Sequence, residues 1–113
     1  MASRANPWRL VYAVVNHLHL KIPVDELRPS LEQEGAPLIA AQPGFKGARF
    51  VKVDDHHGIV ILLWETAADA QNGAQKFGPT WFAKNIAPNL ASEQQRSVGE
   101  IVASRTSAHR AVH

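Results

Sequence analysis

The chain has 113 residues, 45% of them hydrophobic, with a formal net charge of +2, a pI near 9.3 and no cysteine. That length is enough for one domain with its own core, and the lack of thiols excludes disulfides and thiolate chemistry. The basic residues are scattered rather than gathered in a stripe, which argues against a nucleic-acid partner, and no apolar run approaches the ~20 residues of a membrane span.

Residues 1–7 are polar and carry no apolar stretch of the kind a signal peptide has. The expectation is a flexible N-terminus on a cytoplasmic protein. From Arg9 to Leu20 the even positions are Leu10, Tyr12, Val14, Asn16, Leu18 and Leu20, and the odd ones include Val11, Ala13 and Val15. Both faces are largely apolar, which predicts a central strand covered on both sides.

Ile22 to Gln42 reads as helical. Leu27, Leu31, Leu38 and Ala41 recur at roughly helical spacing, with Glu26, Glu32 and Glu34 left for water. Pro29 fits a first turn. Gly35-Ala36-Pro37 predicts a kink or a division into two short helices, because an interior proline removes a hydrogen bond and crowds the preceding turn.

Pro43-Gly44 is a turn dipeptide that stops this segment. Phe45 to Asp54 alternates imperfectly between apolar and basic residues and predicts a strand. Asp55-His56-His57-Gly58 suits a four-residue hairpin loop. Ile59 to Trp64 is apolar on both faces, a second central strand.

Thr66 followed by Asp69 resembles a capping box and starts a helix with a narrow stripe of Ala67, Ala70, Ala74 and Phe77. Gly78-Pro79 is expected to end it. Thr80 to Ile86, with Trp81 and Phe82, predicts a further short helix closed by Pro88-Asn89. Arg96 to Ser104 predicts the last strand, and residues 105–113 a flexible polar tail.

The order β-α-β-β-α-β predicts an α+β, ferredoxin-like fold. Right-handed crossovers place both helices on one face of a four-stranded antiparallel sheet. The other face stays open, and its apolar character predicts a homodimer packed sheet on sheet.

The strand order, the Pro43-Gly44-Phe45 entry to the second strand, and Leu62-Leu63-Trp64-Glu65 leading into Thr66-Ala67-Ala68-Asp69-Ala70 carry a resemblance. Over residues 8–104 the chain resembles the dimeric α+β barrel superfamily, and within it the antibiotic biosynthesis monooxygenase (ABM) domain family. The resemblance implies one domain over 8–104, a pocket between sheet and helices in each subunit, and monooxygenase chemistry on a hydrophobic, aromatic small molecule without a cofactor. It also implies a pocket asparagine at Asn16 and a strand-closing tryptophan at Trp64. The heme-degrading branch adds a tryptophan and a heme-ligating histidine near the second helix. At Gly73 and Phe82 themselves this chain has neither, its aromatics there being Phe77, Trp81 and Phe82, so heme is not implied. The fold also hosts non-catalytic proteins, and a binding or structural dimer is the alternative.

The residues themselves narrow the site. Asn16 is an amide on an apolar face, which must be paired and can orient a substrate carbonyl or a bound oxygen species. Its competing role is to pin backbone near a strand end. Trp64 can stack on an aromatic ligand or fill the core, and Tyr12 can offer its phenol to a substrate or be a core tyrosine with a wet tip. Phe77, Trp81 and Phe82 are read as the lid. His17 and His19 share one strand face near the turn carrying Asp55, His56 and His57. A ligand set is geometrically conceivable there, but the spacing matches no zinc signature, so no metal is assigned. Glu100 is read as an edge or cross-strand carboxylate rather than a general base.

Overall fold

A computed structural model describes residues 11–105. The expected flexible end at 1–7, all but Arg105 of the one at 105–113, and Arg9 and Leu10 of the first strand lie outside the described residues. Strand β1 (Tyr12–His19) leads to helix α1 (Val24–Ser30), a π-helical turn (Leu31–Gly35) and helix α2 (Ala36–Ala40). Strands β2 (Phe45–Asp54) and β3 (His57–Trp64) form the hairpin. Helix α3 (Ala67–Phe77), a second π-helical turn (Gly78–Phe82), helix α4 (Ala83–Asn85) and a 3₁₀ turn (Ala87–Asn89) precede strand β4 (Gln95–Glu100). The sheet order is β2-β3-β1-β4 with every pair antiparallel, the ferredoxin-like arrangement expected from the element order.

Alternation sorts the side chains of β1. Val14, Asn16 and Leu18 are buried under the helices, while Val15, His17 and His19 on the other face are half-buried. The helix-side core has two parts. Leu18, Leu20, Val24, Leu27, Trp81 and Ile86 form one, and Val14, Ile39, Trp64 and Ala70 form the other. Each fully buried aliphatic side chain here contributes about 1.5–3 kcal/mol. On the open face, β1 and β3 present Val15, Ile59, Ile61 and Leu63, with Val51 of β2 40% exposed beside them.

The helices differ from expectation at their prolines. Helix α1 begins at Val24 with Pro23 as its cap, so Pro29 lies inside the helix rather than in its first turn. At Pro37 the expected break takes the form of a widened turn, in which the Ala36 amide reaches back five residues to the Leu31 carbonyl. The extra residue opens the space that the Pro37 ring needs. The same device overturns the expected stop at Gly78-Pro79. The Ala83 amide bonds the Gly78 carbonyl, Thr80 Oγ1 donates to the Lys76 carbonyl, and the helical path continues to Asn85.

The hairpin is tighter than the sequence suggests. Its turn is the pair Asp55-His56, and His57 already belongs to β3 opposite Asp54. An irregularity between Lys52 and Asp54 absorbs the extra residue, and the His56 amide donates to Asp54 Oδ1 at 2.9 Å. The Thr66 cap forms as expected, accepting from the Asp69 amide at 3.0 Å. Gly44, at φ +81°, lets the chain enter β2 where a side chain would strike Asp69. The last strand is shorter than expected, ending at Glu100 opposite Tyr12, with one further backbone hydrogen bond from the Ile101 amide to the Val11 carbonyl.

Candidate functional site

Between the helices and the sheet lies a cavity of about 460 Å³. Its floor is the helix-side face of three strands: Val14 and Asn16 from β1, Val60 and Leu62 from β3, Ala48 and Phe50 from the edge strand β2. Its roof comes from the two helical arms, chiefly Leu31, Gly35 and Ile39 from the first and Ala74, Phe77 and Phe82 from the second. Both widened turns contribute, through Leu31–Gly35 on one side and Gly78 and Phe82 on the other.

Two polar groups stand out against these apolar walls. Asn16 is 9% exposed, and its Nδ2 donates to Gln94 Oε1, which leaves Oδ1 buried without a partner. Either orientation of the amide leaves one of its polar atoms unpaired. Trp64 is 1% exposed, and its Nε1 is likewise buried without a partner. Its ring meets Phe45 edge-on at 5.7 Å and lies against Gly73 of α3. An unpaired buried polar group costs about 1–3 kcal/mol. Both atoms belong to residues that line the cavity, and no group among the described residues pairs with them.

Of the six residues expected at the site, Asn16, Trp64, Phe77 and Phe82 line the cavity, and Tyr12 and Trp81 do not. Tyr12 sits opposite Trp64 and Glu100 at the end of β1, past Val14, the last β1 residue in the wall. Trp81 stands behind the wall. Its ring packs over Gly35, stacks on Phe77 with centroids 5.6 Å apart, and donates from Nε1 to Glu34 Oε1 at 3.0 Å. It braces the two helical arms against each other.

No family model matches the chain, and no curated protein matches it. Solved structures do. SnoaB, a cofactor-independent oxygenase from Streptomyces nogalater, superposes with a TM-score of 0.68 at 18% identity, covering 85% of this chain and 95% of that one. A monooxygenase from the gene ActVA-Orf6 of Streptomyces coelicolor, solved with the ligand nanaomycin D, gives 0.71 at 15% identity over 88% and 95% of the two chains. NE2512 of Nitrosomonas europaea, a protein of unknown function, gives 0.68 at 18% over 88% and 98%. The chain shares its α+β fold with these structures.

Within this fold the cavity has a polar side that the sequence did not announce. Gln94 and Arg96 line it from the β4 end, and Arg28 and Glu32 from the first helical arm. Arg96 pairs directly across from Asn16 in the sheet, so both project to the helix side. Counting alternation back from Val98 would have placed Gln94 and Arg96 on that face. What was missing was the register that sets them beside Asn16.

The histidines divide. His56 turns back to the Ile22 carbonyl, 3.1 Å from its Nδ1, and Asp55 lies 3.7 Å from Lys52. His17, His19 and His57 share the open sheet face, away from the cavity. Among the described residues no three His, Cys, Asp or Glu side chains are grouped to hold a metal ion. No helix among them is long and apolar enough to cross a membrane.

Proposed function

We propose that residues 8–104 form an ABM-type monooxygenase that oxygenates a hydrophobic aromatic molecule in the cavity, as a homodimer in the cytoplasm. The observation that carries this reading is the apolar cavity with two unpaired buried polar atoms, Asn16 Oδ1 and Trp64 Nε1, in its wall residues. Its volume falls in the range of roughly 300–1,000 Å³ usual for small-molecule sites. The fold shared with SnoaB and the nanaomycin-bound monooxygenase supports the same chemistry.

The reaction requires no metal or flavin in this reading. An acidic ring CH₂ loses a proton to give a carbanion, which passes one electron to dioxygen. The resulting radical and superoxide join through a new C–O bond. The peroxide anion so formed takes up the proton first removed, and the resulting hydroperoxide loses water to leave a carbonyl, so that RH₂ and O₂ give R=O and H₂O. The enzyme's task is to hold the ring, exclude water and stabilise the anion. Trp64, Phe77 and Phe82 hold the ring. Asn16 orients its oxygen, and Arg96 beside it supplies positive charge where the anion develops. Trp81 keeps the roof closed, and Tyr12 supports Trp64 from the neighbouring strand. The open face of the sheet, with Val15, Ile59, Ile61 and Leu63, forms the dimer contact.

The test is a panel of anthrones and polyphenols, followed by difference spectra and oxygen uptake with wild type and Asn16→Ala. Saturable spectra with protein-dependent oxygen uptake, both weakened in Asn16→Ala, are expected. Saturable spectra without oxygen uptake would leave a binding protein and overturn the oxygenase. Light scattering should give twice the chain mass, and a monomer would overturn the dimer.

A further inference from the structure

On the open face of the sheet, opposite the cavity, His17 Nδ1 and His57 Nε2 lie 3.0 Å apart. The two residues come from the hydrogen-bonded central strands β1 and β3, so their backbones are fixed relative to each other. His19, directly across from His57, stacks on its ring with centroids 4.2 Å apart and a 26° tilt. Both imidazoles are half-buried, and their facing ring nitrogens are close enough to bind one ion between them.

We propose that His17 and His57 chelate a divalent first-row transition metal, with Cu²⁺ and Ni²⁺ favoured by the geometry. The argument is the bite. With metal–nitrogen bonds of about 2.0–2.1 Å, a 3.0 Å separation gives an N–metal–N angle of roughly 91–97°. A tetrahedral zinc pair would need the nitrogens roughly 3.3–3.4 Å apart. The observed spacing suits adjacent corners of a square plane, the preference of Cu²⁺ and Ni²⁺. The two remaining corners fall to water or, in the proposed dimer, to groups of the facing sheet. His19 is a positioning residue that holds the plane of the His57 ring, and His56, turned to the Ile22 carbonyl, takes no part. The site lies on the opposite side of β1 from Asn16, so it does not depend on ligand binding in the cavity, but it shares its sheet face with the proposed dimer contact.

The experiment titrates the full chain with CuCl₂ and NiCl₂, by calorimetry and by the visible absorption of imidazole-bound Cu²⁺. The variants are His17→Gln, His57→Gln, the double variant and His19→Phe, which keeps a ring to stack on. Wild type should bind one more Cu²⁺ per chain than the double variant. Each single histidine substitution should weaken that site at least about tenfold, or 1.4 kcal/mol. His19→Phe should retain it. Electron paramagnetic resonance of wild type with one equivalent of Cu²⁺ should show two imidazole nitrogens, a readout that does not depend on any variant folding. The proposal is overturned if the double variant binds as wild type does, since the ion then rides on other donors. It is equally overturned by no binding, or by a resonance spectrum with fewer than two imidazole nitrogens.

Discussion

Gly73→Ala tests whether Trp64 is fixed in the cavity wall by contact with α3. An ideal Cβ at position 73 would lie 2.3 Å from Trp64 Cη2, 2.7 Å from Cζ2 and 2.9 Å from Cζ3. Ordinary carbon contacts lie near 3.5–4.0 Å, so the methyl intrudes by more than about 1 Å on a rigid ring. Trp64 is 1% exposed and closed in by Phe45, so α3 must lift or the indole must rotate. Overpacking of this kind costs about 1–3 kcal/mol, against a gain of roughly 0.5–1 kcal/mol for alanine over glycine in a helix. The expected net loss is about 1–2 kcal/mol, roughly 4–8 °C in a chain of this size. Two other glycines calibrate the measurement. At Gly35 the new Cβ would meet the Trp81 ring at 3.0 Å, and at Gly78 it would meet nothing within 4 Å. Urea melts followed by circular dichroism should rank Gly78→Ala above wild type, Gly35→Ala within about 0.5 kcal/mol of it, and Gly73→Ala clearly below. A Gly73→Ala variant as stable as wild type would refute the reasoning, because the Trp64 wall would then be yielding rather than fixed.

Two further outcomes follow from single contacts. Asn16→Leu removes a buried amide with an unpaired atom, and should melt no lower than wild type while losing affinity for aromatic ligands at least about tenfold. A loss of more than about 2 kcal/mol would show that Asn16 pins the strand instead. Lys52 Nζ donates to Asp25 Oδ2 at 2.9 Å, which lowers the Asp25 carboxyl and raises the Lys52 ammonium from their ordinary values. The Asp25 contribution is present above the ordinary carboxylate range and fades as pH falls through the lowered value. The Lys52 contribution is present below the ordinary ammonium value and fades as pH rises through the raised one. The pair is therefore whole at neutral pH, and Asp25→Asn should cost a small amount of stability there that molar salt removes. An effect indifferent to salt would contradict a solvent-exposed pair.

The strand order was legible because alternation and turn residues are local signals. Thr66 and Asp69 announced α3, and Pro43-Gly44 the entry to β2, through the same kind of short-range chemistry. The prolines misled. Pro29 and Pro79 mark helix ends by local rules, yet the chain keeps its helical path at both, because burying Leu27 on one side and Trp81 and Ile86 on the other favours continuing. At the site, the residues read from apolar context were placed with partial success. Trp81 is aromatic and close by, but a hydrogen bond to Glu34 draws it behind the wall. The polar side escaped because Arg96 comes 80 positions after Asn16, and only sheet register joins them.

Arg96 has one more neighbour. With Val98 it borders a groove running between α3 and β4 on the outer flank of the sheet, and Ala70, Ala74 and Arg96 belong to the walls of both hollows. Two of these three are methyl groups that cannot swing. The one long side chain of the three, Arg96, therefore meets both hollows, so a substitution at position 96 changes the inner chamber and the outer groove together.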